Sequence, residues 1–241
     1  MRALGAALAA MAMMLALPAA ASPLAACLAS ENPRACLELV ERAVRGDLEA
    51  AGEAVVAAAA SLGDVGERDA ALLAFAPSAE AFAVYVEREC VRRRLMLDAG
   101  TGGGQAELAC RAELQLARAA TLWDEVGGRG EPLELAGRDW RVVRLDGQPV
   151  LEGTSPTLTF GEDGRAGGDA STNRWFAGYL VHGFGLAFGA AGSTMMYNDQ
   201  PPGRMDQERR FLGHLGEVDR FRLVEGRLEL LARGRVVVEL E

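Results

Sequence analysis

Apolar residues recur at Leu37, Val40, Val44, Leu48 and Ala51, spacings of three and four that put them on one helical face. The preceding Asn32-Pro33 supplies a cap and a residue whose missing N–H suits the first turn, so a helix is predicted to start there. A second helix is predicted after Pro77-Ser78, gathering Phe82, Tyr85, Val86, Glu89 and Val91. A third runs from Gln105 to about Val126, with Leu108, Leu114, Leu116, Ala120 and Trp123 available for a core. Gly100-Thr101-Gly102-Gly103-Gly104 is a flexible turn between them. From Leu133 onward the pattern becomes alternation. Trp140, Val142 and Arg144 share one face of a predicted strand, and Arg141, Val143 and Leu145 the other. Thr157 to Phe160 alternates again, and Asp163-Gly164 is a hairpin signal. Further strands are predicted at Phe176 to Val181, Gly185 to Phe188, Gly192 to Met196, Val218 to Val224, Arg227 to Leu231 and Arg235 to Leu240. Turns fall at Glu225-Gly226 and Arg233-Gly234. One helix interrupts this series, from Met205 to Leu215, with Met205, Phe211, Leu212 and Leu215 on its apolar face.

The two regimes are separated by Gly127-Gly128-Arg129-Gly130-Glu131-Pro132, where glycine entropy and proline disfavour continuous helix or sheet. The predicted organisation is a leader at 1–21, a helical domain at 22–126, a linker at 127–132 and a mainly-β domain with one helix at 133–241. The fold class is therefore α+β in two domains. Net charge is −9, and all 25 basic residues are arginine. Without lysine there is no P-loop phosphate clamp, no Schiff base and no Ser-Lys dyad. Both halves are acidic, with 17 carboxylates against 11 arginines over 22–130 and 17 against 13 beyond, which argues against nucleic acid. Two separated histidines, His182 and His214, and no zinc-ribbon cysteine spacing predict no metal site and no cofactor.

Met1-Arg2, the apolar run Ala3 to Leu17 and the small residues after Pro18 read as a secretory signal peptide cleaved after Ala21. A periplasmic or secreted protein is expected. Leu24-Ala25-Ala26-Cys27 also fits a lipobox, and the alternative is an outer-membrane lipoprotein anchored at Cys27, the one route to a membrane. Cysteine parity favours the soluble form, because acylating Cys27 would leave one of the remaining three thiols unpaired in an oxidising compartment. Four cysteines allow three connectivities. Cys90 and Cys110 flank the glycine turn almost symmetrically, so an antiparallel helix pair brings them within bridging distance; this favours 90 with 110 and 27 with 36.

Cys36 with downstream Asp47-Leu48, the segment Phe82 to Cys90, the glycine-rich loop, and Cys110-Arg111 followed by Leu114 and Arg118 to Leu122 together resemble the LprI-type lysozyme inhibitor domain. The resemblance covers about residues 24–125. It implies an exported, disulfide-bonded helical module that binds lysozyme. Residues 133–241 resemble a META (HslJ-like) domain. The matching pieces are Leu135-x-Gly137-x-x-Trp140, Leu158-x-Phe160, Gly168, Asn173, Gly178-Tyr179, Leu186-x-Phe188, Ser193-Thr194-Met195, Glu208 with Phe211-Leu212-x-x-Leu215, and Leu228-x-Leu230. Where that family commonly has Gly-Cys-Asn this chain has Ser171-Thr172-Asn173, and where it often has a second cysteine the chain has Met196-Tyr197-Asn198. A bridge between those loops must be replaced here by packing or hydrogen bonds.

No catalytic residue is assigned. Asp163, Asp169, Asp199 and Asp206 form no recognised motif, and there is no nucleophile elbow. His182 reads as an edge or loop residue, His214 as an exposed helical one, and Met195-Met196-Tyr197 as alternating core and surface. Ser171, Asn173, Arg174 and Trp175 are candidate partner-binding residues, because Trp and Arg anchor interfaces; a capped turn with a core Trp is the competing reading. The expectation is a non-enzymatic envelope protein that binds and inhibits a c- or g-type lysozyme, or binds another envelope protein. Acidic charge would speed its encounter with a cationic partner. The alternative is an envelope stress or antibiotic-tolerance factor acting through the META domain without lysozyme inhibition.

Overall fold

The computed structural model describes residues 23–97, 102–130 and 134–241. The leader at 1–21, Gly100-Thr101 of the glycine turn and the 131–132 end of the linker lie outside them. Four helices come first: α1 (Pro23–Leu28), α2 (Pro33–Ala60), α3 (Val65–Leu95) and α4 (Gly103–Glu125). Asn32 caps α2, its side chain accepting from Ala35 N at 3.2 Å, and Asp64 caps α3, accepting from Glu67 N at 2.8 Å. Leu37, Val40, Val44 and Ala51 of α2 are buried, largely against Ala112, Ala119, Leu122 and Trp123 of α4, and half-buried Leu48 packs against the same α4 cluster as Ala51. The buried residues of α4 are Cys110, Ala112, Gln115, Ala119, Leu122 and Trp123, whereas Ala120 is exposed.

Helix α3 departs from the predicted start after Pro77. It begins at Val65 and runs through Pro77. The proline costs one backbone hydrogen bond to the carbonyl four residues earlier, that of Leu73, and Leu73 is exposed, on the solvent side of the helix. Of the predicted core set only Val86 is fully buried, and Tyr85 is exposed. Cys90–Cys110 ties α3 to α4, and Cys27–Cys36 ties α1 to α2. The sulfur of Cys27 is joined to that of Cys36 in this structure.

The second part is a closed antiparallel barrel. Its strands are β1 (Asp139–Leu145), β2 (Gln148–Pro149), β3 (Thr157–Phe160), β4 (Arg165–Asp169), β5 (Arg174–His182), β6 (Gly185–Phe188), β7 (Gly192–Ser193), β8 (Arg220–Val224), β9 (Arg227–Ala232) and β10 (Arg235–Leu240), with helix α5 (Arg204–Glu217) after β7. The circuit runs β1-β3-β4-β5-β6-β8-β9-β10 and closes when β10 pairs with β1; β2 and β7 are short additions to β1 and β5. Closure leaves no long edge to template aggregation. Trp140, Phe160, Trp175, Phe188 and Phe221 fill the interior with Phe211 and Leu215 of α5. In β1 the expected alternation breaks. A register shift between Val142 and Arg144 turns Leu145 inward with Trp140 and Val142, because a bulge changes the parity of every later residue. Glu225-Gly226 and Arg233-Gly234 adopt paired positive φ values of 51° and 82°, and 50° and 76°, which a two-residue hairpin requires.

Helix α2 lies directly on the barrel. A Cβ on Gly185 would overlap the carbonyl of Ala43, and one on Gly46 would overlap the carbonyl of Asp219, so helix and sheet approach to backbone contact. Around that contact, buried Asp47 accepts from Phe184 N at 3.1 Å and pairs with Arg129 Nη2 at 2.7 Å. Arg42 donates to Phe188 O at 2.9 Å, and the Trp123 and Phe184 rings lie 5.6 Å apart.

Candidate functional site

A polar cluster joins three segments of the barrel: the loop before β5, the loop after β7, and α5. Glu208, on the second turn of α5 and buried, accepts through Oε2 from Thr172 N at 2.9 Å and Asn173 N at 3.0 Å. Its Oε1 accepts from Asn173 Nδ2 at 2.6 Å. That fixes the orientation of the Asn173 amide, which then reads the backbone of Met196 from both sides. Nδ2 donates to Met196 O at 2.9 Å, and Oδ1 accepts from Met196 N at 2.7 Å and from Thr194 Oγ1 at 2.8 Å. Thr172 Oγ1 adds a bond to Asn198 O at 3.3 Å. Beneath these, Gln207 donates to Thr154 Oγ1 at 2.9 Å and Ser171 Oγ at 3.2 Å and accepts from Leu151 N at 2.7 Å. The two loops, cysteine-free here, are tied by hydrogen bonds.

The consequence for the surface is specific. With the Met196 backbone held on both sides, the side chains of Met195 and Tyr197 stand 98% and 81% exposed, and Met196 57%. Tyr and Met are enriched at protein interfaces, and a fixed backbone leaves little conformational freedom to be lost on binding.

This corrects two sequence readings. Ser171, Asn173 and Trp175 are buried and cannot touch a partner; the Trp175 indole donates inward to Thr157 O at 3.1 Å and its ring packs on Phe211. Only Arg174 of the four candidates is exposed. Met195-Met196-Tyr197 is not alternating core and surface but exposed throughout, since β7 ends at Ser193 rather than continuing to Met196. The residues that organise the loop, Glu208 and Gln207, read locally as polar positions on a solvated helix face, and the fold covers both.

The family model for the META domain matches residues 133–241. The C-terminal barrel is a META domain. No curated relative matches the chain. Two solved structures are similar to it: an NMR structure described only as that of a protein, at 18% identity, and an NMR structure of a protein from Burkholderia xenovorans, at 22%. Each aligns with 44% of this chain, over 90% and 82% of its own length, with TM-scores of 0.38 and 0.37.

Outside the META loop cluster, the charged groups gather where the META domain meets the helices. His182 faces Asp47 at 4.0 Å across the seam, and burial lowers its pKa from the ordinary value, with Arg129 adding to and Asp47 opposing that shift. His214 is not an exposed helical residue: it is largely covered and bonded through Nε2 to Asp146 Oδ2 at 2.7 Å. Glu49 is pushed up by burial and by the nearby Asp219. On α3, hydrogen bonds from Arg92 and Arg93 hold the Glu89 carboxyl down at about 2. Among the described residues no group of three His, Cys, Asp or Glu side chains is placed to hold a metal ion. A cleft of about 910 Å³ opens between α2 and α3, with α4 as its floor and Arg220, Arg233 and Gly234 of the META domain along one side.

Proposed function

We propose that this is an exported, non-catalytic binding protein of the bacterial cell envelope, and that its partner is a c- or g-type lysozyme, which it inhibits. The observation that carries a binding role is the Met195–Tyr197 loop: three large, exposed side chains on a backbone locked by Asn173 and Glu208. Such anchors dominate the energy of protein interfaces when they enter a pocket on the partner. Two disulfides fit an oxidising compartment, and the resemblance of the helical part to lysozyme inhibitors supplies the partner class. The net charge of −9 favours approach to a cationic enzyme.

The test is inhibition itself. Purified, oxidised protein should slow lysozyme lysis of peptidoglycan in a dose-dependent manner, more strongly at low salt. Met195→Asp and Tyr197→Ala should each weaken inhibition at least tenfold while leaving the far-ultraviolet spectrum unchanged. No slowing by the unmodified protein across c- and g-type lysozymes would refute the lysozyme assignment. The META match favours a second reading, in which the domain serves envelope stress or antibiotic tolerance by binding another envelope protein. Heat or antibiotic sensitivity on deletion, restored by wild type but not by Tyr197→Ala, with no change in lysozyme sensitivity, would select it.

A further inference from the structure

The outer face of the barrel carries a polar trough that ends at an aromatic side chain. Side chains alternate between faces along a strand, so on β5 Arg174 and Phe176 point outward and Trp175 between them points into the core. The Phe176 row continues in register through Gly167 of β4 and Thr159 of β3 to Asp139 of β1. Beside it stand Thr157, Asp169 and Arg174, and the trough lined by these side chains has a volume of about 500 Å³. From β1 through β3 and β4 to β5, at about 4.8 Å between strands, it is roughly 14 Å long. Both its size and its length suit a small molecule of more than one ring.

Phe176 is 67% exposed although it lies within a strand. Both of its cross-strand partners are glycine, Gly167 on β4 and Gly192 on β7, so neither neighbouring strand offers a side chain to cover the ring. The polar groups beside it keep hydrogen-bonding capacity of both kinds. Asp139 Oδ1 accepts from Thr159 Oγ1 at 2.7 Å, and Asp169 Oδ1 from Ser171 N at 2.7 Å, which leaves the second oxygen of each carboxylate to accept. Thr157 Oγ1 accepts from Asp169 N at 2.9 Å, so its own proton is available to donate. The Arg174 guanidinium makes no hydrogen bond or ion pair among the described residues, although Asp169 is its cross-strand partner. Carboxylates only accept and a guanidinium only donates, whereas a hydroxyl does both, so a run of hydroxyls satisfies this mixed row. An anion would meet Arg174 but face Asp139 and Asp169, and a cation would face Arg174. The aromatic completes the match, because the negative face of a ring attracts the C–H face of a pyranose.

We propose that this trough binds a neutral oligosaccharide across β1, β3, β4 and β5, one sugar ring stacked on Phe176 and the hydroxyls of the next held by Arg174, Asp169 and Asp139. The site shares no residue with the Met195–Tyr197 loop, so it stands or falls independently of the lysozyme reading. Calorimetry and saturation-transfer NMR on the full, oxidised chain are expected to show saturable binding of one trisaccharide per chain, with the protons of one sugar ring shifted upfield by the aromatic. Triacetylchitotriose, cellotriose and maltotriose are the three arms, distinguishing an N-acetylated glycan from a β- or α-linked glucan as the source; saturable binding of any one supports the site. Trigalacturonate, an anion of equal length, should bind at least about tenfold more weakly than the best neutral sugar. Phe176→Ala and Arg174→Gln are each expected to weaken binding about tenfold, with unchanged thermal unfolding because both side chains are exposed. Met195→Asp should leave binding intact. No saturable binding of the three neutral sugars, equal or tighter binding of trigalacturonate, full binding by Phe176→Ala, or loss of binding in Met195→Asp would overturn the proposal. So would self-association through this face that Phe176→Ala abolishes and that no sugar competes with.

Discussion

Glu208→Ala tests whether the loop cluster is held as its geometry implies. The carboxylate accepts two backbone N–H groups, from Thr172 and Asn173, and the Asn173 side-chain amide, at 2.9, 3.0 and 2.6 Å. Alanine leaves these donors facing a small void. The Asn173 N–H is buried and Thr172 half-buried, and the Asn173 amide keeps its bond to Met196 O, so the loss is dominated by the two backbone groups. At about 1–3 kcal/mol for each unsatisfied buried group, discounted for partial exposure of Thr172, the expected destabilisation is about 2–4 kcal/mol. Glu208→Gln is a sharper control. One of its two head atoms becomes a donor, which either faces the backbone N–H pair or meets Asn173 Nδ2. Flipping Asn173 to relieve that clash would set its NH2 against Met196 N and its oxygen against Met196 O. The glutamine should therefore cost about 1–2 kcal/mol despite its shape. Urea unfolding followed by fluorescence of Trp140 and Trp175 reads the stability, and limited proteolysis at Met195 to Tyr197 reads the loop. An alanine variant within 0.5 kcal/mol of wild type, or a loop cleaved no faster, would refute the reasoning.

Three further outcomes follow from other parts of the molecule. Ser171 sits at φ 109°, in a region that favours glycine, so Ser171→Gly should raise the urea midpoint, relieved strain of about 1–2 kcal/mol exceeding the weak 3.2 Å bond from Gln207; an unchanged or lowered midpoint would contradict it. Gly185→Val places a branched side chain into the Ala43 carbonyl of α2, and should lower stability by at least about 3 kcal/mol and expose Trp123, read as a red-shifted emission; a neutral result would mean that α2 does not dock on β6 as described. Burial lowers the pKa of His182 in the folded state, so the unfolded chain takes up the proton first. The contribution of this residue to stability is full above about pH 6.5 and is lost as pH falls below that through the folded value; His182→Gln should flatten this limb of the stability profile, and an unaltered slope would exclude the residue as its source.

What the sequence made legible was local. The i, i+3, i+4 rows of α2, the turn pairs Glu225-Gly226 and Arg233-Gly234, and the strand of Gly185 to Phe188 follow from periodicity and from residues that tolerate positive φ. Three features were not legible, each for a physical reason. Pro77 is a helix breaker by its missing donor, but it sits on an exposed stretch of α3 where that loss is tolerable, and nothing local reveals exposure. The bulge at Val142 to Arg144 reverses inward and outward positions without any residue that announces it. The loop cluster depends on pairing Asn173 with a backbone 23 residues away and a carboxylate 35 residues away, so its polar residues look like surface until the fold brings them under cover. That is why Ser171, Asn173 and Trp175 read as partner contacts, whereas the exposed side chains of this region are Met195 to Tyr197.

The linker, too, has a different character once the charges are placed. Glycine, proline and polar residues at 127–132 describe a flexible join, yet Arg129 reaches back to Asp47, whose side chain is fully buried, at 2.7 Å. A buried carboxylate is tolerated only if paired, and removing one partner of such a pair typically costs about 3–5 kcal/mol. The same carboxylate accepts the Phe184 N–H of the META domain, so one side chain of α2 binds the linker and the barrel at once. Gly46 and Gly185 add backbone contact beside it, with no room for a side chain on either surface. These are features of an interior, whereas a transient domain contact would be polar and forgiving of small changes. The helices and the META domain therefore meet in a closely fitted seam between α2 and the barrel, and separating them would leave Asp47, Phe184 and Phe221 without the surfaces they pack on.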